Sequence, residues 1–117
     1  MSDPVVSAID ALRELNGVYG LDSRDLQIVC SETVDAARVR RWLRGQDEIP
    51  EKYWNGILQT RYIARQLSLA GIAPDRVKLW FLTRSPVVRR QARPIDAVLL
   101  HSQSVIEAMR VFIAQNR

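Results

Sequence analysis

The chain has one cysteine, Cys30, and one histidine, His101. A lone thiol allows no intrachain disulfide, and neither residue has companions with which to hold a metal at zinc-ligand spacing. A reduced, cytoplasmic setting fits this composition, and no metal or cofactor is expected. No apolar run is long enough to cross a bilayer, and the acidic, proline-containing start does not read as a secretory signal. Glycines and prolines, five of each, fall at points where helices would start or stop. They form no phosphate-cradling loop, nucleophile elbow or kinase signature. Alternating polar and apolar residues backed by hairpin turn chemistry are also missing. VVSAI and AVLLHS are apolar enough for strands, yet both follow a proline suited to a helix start. The acidic Asp75, Asp96 and Glu107 all sit near helix starts, where the helix dipole favours negative charge. No convergent titratable cluster is left for catalysis, so the expectation is a binding protein and not an enzyme.

What the chain does have is apolar residues at helical spacing. Hydrophobic residues make up 47% of its 117 positions, which suffices for a buried core in one domain, or in two small lobes sharing one. The expected fold class is all-α. The net charge of +4 divides unevenly. Residues 1–52 carry 7 basic and 10 acidic side chains, whereas residues 53–117 carry 10 basic and 3 acidic. A basic partner-binding face would therefore belong mainly to the second half.

In chain order, Val5, Ile9, Leu12 and Leu15 predict a first helix from Pro4 to Asn16, stopped by Gly17. Asp22 can cap a second, Ser23 to Cys30, with Leu26, Val29 and Cys30 inward. Asp35 can cap a third, DAARVRRWLRG, closed by Gly45. Val39, Trp42 and Leu43 form its inner face, and Arg38, Arg40, Arg41 and Arg44 the outer one. Pro50 opens a fourth helix running to Ala70, with Trp54, Ile57, Leu58, Arg61/Tyr62 and Arg65 as its stripe. Pro74 starts a helix over Asp75 to Thr83, where Val77, Trp80 and Phe81 share a face and Ser85-Pro86 ends it. Pro94 starts another, carrying Ile95, Val98 and Leu99 inward. Ser104 and Glu107 form a Ser-x-x-Glu capping box ahead of the last helix. Val105, Ile106, Met109, Phe112 and Ile113 line that helix. So apolar a terminal helix in so small a chain needs cover, which favours a homodimer.

Two stretches resemble known families. The second and third helices, the latter arginine-rich and ended by Trp-Leu-x-Gly, look like a helix-turn-helix of the Xre type, with a turn about two residues longer than usual. In such a pair the second helix enters the major groove, and arginine suits guanine edges and phosphates. The resemblance nominates Arg38 and Arg41 for base edges, Arg40, Arg44 and Lys52 for phosphates, and Thr33 for the DNA backbone. The second stretch joins a tryptophan helix (Trp80), a proline turn (Ser85-Pro86) and the start Arg93-Pro94-Ile95-Asp96. It resembles the toxin-binding domain of Xre/MbcA/ParS-type antitoxins, loosely over the whole chain and best over residues 74–113. Where that family has small residues or glycine before the Arg-Pro pair, this chain has Arg89-Arg90-Gln91-Ala92.

The resemblance implies a helix-turn-helix lobe over residues 1–52, a connecting helix over 53–71 and a toxin-binding lobe over 72–117. It implies an antitoxin that blocks a RES-domain, NAD-degrading toxin and represses its own operator. Arg89, Arg90, Arg93, Gln115, Asn116 and Arg117 are the candidate toxin-facing residues. Two alternatives stand beside it. One is an Xre-like repressor whose second lobe only dimerises; the other is non-specific nucleic-acid contact by the basic half.

Overall fold

A computed structural model describes residues 7–31 and 33–116. Among them are seven α-helices, two short 3-10 turns and no strand. The expected stretch Pro4 to Val6 of the first helix lies outside the described residues. None of the described helices is long and apolar enough to cross a membrane.

Helix starts follow the capping chemistry of the sequence. In α1 (Ala8–Gly17) the Ser7 hydroxyl accepts from the Asp10 N–H at 3.2 Å. In α2 (Ser23–Cys30) Asp22 and Asp25 each accept from the other's backbone N–H, at 2.9 and 3.1 Å. The bond from the Asp25 N–H holds the Asp22 carboxyl below its usual value, while burial raises that of Asp25. In α3 (Ala36–Leu43) Asp35 accepts from the Arg38 N–H at 2.8 Å. Gly45 then turns left-handed, φ 74°, and the Gln46 N–H returns to the Arg41 carbonyl at 3.0 Å, closing the helix.

The fourth helix starts later than Pro50. Glu51–Tyr53 is a 3-10 turn, and α4 spans Trp54–Leu69. Its buried face is Gly56, Ile57, Thr60, Ile63, Ala64 and Leu67. The expected stripe therefore holds only at Ile57, with Leu58 half-buried. Trp54 and Tyr62 are 41% and 49% exposed, and Arg61 leaves the stripe to pair with Glu14 of α1 at 2.6 Å. A period count centred on the large side chains missed the small inward ones, Gly56, Thr60 and Ala64, which let α4 approach its neighbours closely. Thr60 satisfies its buried hydroxyl by donating to the Gly56 carbonyl at 2.7 Å.

Helix α5 (Pro74–Leu82) stops before Ser85-Pro86. Thr83 is already extended, and its hydroxyl donates to the Leu79 carbonyl at 2.6 Å. The helix from Pro94 is a single turn, α6 (Pro94–Ala97). It buries Ile95 and Val98 but leaves Leu99 39% exposed. The expected capping box does not form. Helix α7 (Ser102–Gln115) begins two residues before Ser104, and the Ser104 hydroxyl instead accepts from the Arg89 N–H at 2.7 Å. On α7, Val105, Ala108 and Met109 are buried, while Ile106, Phe112 and Ile113 are half-buried against the core.

Both halves contribute to one core. Leu12, Leu15, Leu26 and Trp42 belong to the same buried cluster as Ile57, Leu67, Phe81, Ile95 and Val105. Helix α4 runs through its middle, against α1, α2, α5 and α7. Trp80 and Ile95 are buried in this cluster and Pro94 is buried on α6, which packs against α5. Cys30 is buried as well, and burial pushes its thiol up to about 12.

Candidate nucleic-acid face and partner surface

Helices α2 and α3 are joined by residues 31–35. The Ser31 and Thr33 hydroxyls are bonded at 2.9 Å, and the Thr33 N–H donates to the Ser31 hydroxyl at 3.1 Å. Val34 turns inward and is buried. The long turn is thus anchored at both ends, by a local hydroxyl bond and by a core side chain.

The outer face of α3 is cationic, and part of it converges on one aromatic ring. The Arg38 guanidinium lies 5.4 Å from the Trp42 ring and 5.7 Å from the Tyr53 ring. The Lys52 ammonium is 5.1 Å from the Tyr53 ring on the other element. Trp42 and Tyr53 lie 5.6 Å apart, tilted at 42°. The Tyr53 phenol is held below its usual value by the influence of the Thr33 hydroxyl; burial opposes this, and Lys52 and Arg38 add to the lowering. Arg38 and Lys52, fourteen residues apart, therefore share one neighbour, and Thr33 acts on its phenol. Sequence reading missed Tyr53, placing it at the start of a connector. Its only signal was an aromatic next to Lys52.

The other two arginines of α3 are engaged, and among the described residues Arg44 just beyond it is not paired. Arg40 donates to the Ser23 hydroxyl at the start of α2 at 3.0 Å. Arg41 pairs with Asp47 at 2.9 Å, which neutralises one of the two nominated base-reading side chains. Arg44 is exposed, with no ion pair among the described residues. Beneath them the indole N–H of Trp42 is buried with no hydrogen-bond partner among the described residues.

The nominated partner-facing residues spread over two places. Arg89 and Arg90 are exposed on the 3-10 turn Arg89–Gln91. Arg90 and Gln91 are both left-handed, at φ 60° and 54°. That geometry suits glycine, and this chain adopts it with two long side chains. Arg93 makes a two-pronged contact to Asp96 at 2.8 and 3.0 Å, a pairing that raises its affinity for its proton. Asn116 accepts from Arg76 at 2.7 Å and donates to the Phe112 carbonyl at 2.8 Å. Arg117 lies outside the described residues.

Gln115 lies elsewhere, on a groove of about 320 Å³ between α5 and α7. Leu79, Trp80, Pro86, Val87 and Phe112 form its apolar lining, with Arg76 and Arg84 among its polar residues. Leu79 is 65% exposed there. Trp80 is held by an edge contact with Phe81 at 5.1 Å and by Phe112 at 6.2 Å. No group of three or more histidine, cysteine or acidic side chains comes together to hold a metal among the described residues.

No protein-family model, curated protein or solved structure matches the chain.

Proposed function

We propose that this protein binds DNA through α3 and, as an antitoxin, holds a RES-domain toxin against its C-terminal half. The observation that carries the DNA part is the convergence of Arg38 and Lys52 on Tyr53 beside an exposed arginine face. A short helix set by a capped start, with its arginines outward and Val39 and Trp42 inward, has the layout needed to enter a major groove. Arg38 and Arg41 would reach base edges; Arg44, Lys52 and Arg40 would meet phosphates, and Thr33 the DNA backbone at the turn.

The toxin part rests on the antitoxin-like stretch from Trp80 to Asp96. Support comes from the left-handed pair Arg90-Gln91 in the stretch where that family has small residues or glycine, and from the groove beside Trp80 with the exposed Leu79. Arg89, Arg90, Gln115 and Asn116 are the nominated contacts that are exposed, Asn116 while bonded to Arg76. The proposal carries no catalytic role for the chain itself.

A second reading, a repressor without a toxin partner, is favoured by a specific observation. Arg93 and Asn116 are spent on intrachain contacts with Asp96, Arg76 and Phe112. On that reading the C-terminal half serves the fold and assembly.

Two experiments separate these readings. Arg38→Ala with Arg41→Ala should weaken binding to upstream DNA at moderate salt by about tenfold to a hundredfold; unchanged affinity rejects α3 as the reading helix. Co-expression with the product of the neighbouring gene should yield a stable heteromeric complex that restores growth. A chain that purifies alone supports the plain repressor.

A further inference from the structure

The outer face of α4 is apolar where a solvent-facing helix side would be polar. Trp54, Leu58, Tyr62 and Leu69 fall, with Arg65, within about 80° of the helix circumference at 100° per residue. Trp54, Tyr62 and Leu69 are 41%, 49% and 70% exposed. The stripe is the ridge between two hollows. One, toward α1, joins Trp54 and Leu58 to Ile9, Asp47, Glu48 and Ile49. The other, toward α7, joins Tyr62 and Gln66 to Ile106, Met109, Arg110 and Ile113. The face thus has an acidic rim near Trp54 and a basic one, Arg65 and Arg110, further along.

We infer that this face is the interface with a second copy of the chain, the two α4 helices crossing antiparallel about a two-fold axis at Tyr62. The spacing of the stripe selects this partner. Reversed about its midpoint, between Arg61 and Tyr62, the row sets Trp54 opposite the partner's Leu69 and Leu58 opposite the apolar stem of the partner's Arg65, and leaves the two Tyr62 side chains flanking the axis. An isologous interface requires that self-complementarity. Charge points the same way. The same operation carries Arg65, whose exposed intrachain pair with Glu14 is long at 3.8 Å, toward the partner's Glu48 end, and Glu48 has no ion pair among the described residues. Arg61, which would otherwise put a like charge close to the axis, is drawn aside by Glu14 at 2.6 Å. Over 16 residues the paired helices would run about 24 Å, with each ridge flanked by its neighbour's hollows. The inference rests on neither the DNA nor the toxin reading.

Sedimentation of the full chain tests it. The wild type should run at twice its 13.4 kDa mass, and Tyr62→Glu at once that mass with unchanged helical circular dichroism. Tyr62→Cys should cross-link to a covalent dimer on mild oxidation because the axis brings the two thiols together. Leu79→Cys, more exposed than Tyr62 but on α5, should not. A monomeric wild type overturns the inference, even if another protein then binds this face. So does a dimer that survives Tyr62→Glu, or cross-linking through Leu79→Cys in place of Tyr62→Cys.

Discussion

Gly56 of α4 packs directly against the Val29 carbonyl at the end of α2; a Cβ at Gly56 would overlap that oxygen and lie 2.6 Å from a Leu99 methyl. This contact seats the helix pair carrying the arginine face on the central helix. Alanine is otherwise the better helix former by about 1 kcal/mol, so the sign of the substitution reports the contact. Gly56→Ala should lower stability by about 2 kcal/mol, because backbone must move to make room. Urea unfolding checks it through a lower midpoint at an unchanged slope.

Tyr53 should ionise at a lower pH than an ordinary tyrosine. The cause is the Thr33 hydroxyl, followed by Lys52 and Arg38. An acid depressed in the fold contributes stability that is present above its unfolded value of about 10 and is lost as pH falls through the folded value. Ultraviolet absorbance titration should show an early phenolate step that Tyr53→Phe removes and Thr33→Val moves upward. A Thr33→Val titration identical to wild type rejects the Thr33 contact.

If α3 binds DNA as proposed, the Arg41–Asp47 pair, 2.9 Å apart and with Arg41 58% exposed, matters more for binding than for folding. Exposed pairs contribute about 0–1 kcal/mol. Asp47→Asn should therefore leave unfolding nearly unchanged while freeing Arg41 for phosphate or base. The slope of log affinity against log salt should steepen by about 0.9 for one added phosphate contact. Filter-binding over a salt series measures it; a slope equal to wild type shows that Arg41 does not reach the DNA.

Ser104 and Glu107 should separate cleanly. Ser104 accepts from the Arg89 N–H at 2.7 Å and ties the basic turn to α7. Ser104→Ala should cost about 1 kcal/mol. Glu107, whose ion pair with Arg110 is long at 3.7 Å and exposed, should change stability by less than about 0.5 kcal/mol on conversion to alanine. Equal losses in thermal unfolding would restore the capping box that their spacing suggests.

At several helix ends the deciding chemistry lies within a few residues, and there the sequence determined the outcome alone. Asp22 and Asp35 cap α2 and α3, Pro74 and Pro94 open α5 and α6, and Gly45 closes α3, because each acts on backbone groups beside it. Val39 and Trp42 face inward for the same reason: a short helix has one apolar side. Tertiary structure decided what involves distant partners. The buried face of α4 depends on how closely α2 approaches Gly56, not on where the large side chains recur. Ser104 had two available donors, its own helix start or the Arg89 turn fifteen residues away, and only packing chose between them. Likewise Lys52 and Arg38 acquire a common neighbour in Tyr53 because the 3-10 turn folds back on α3. Local pattern carries no record of such meetings, since the free energy that selects them comes from contacts between segments that are remote along the chain.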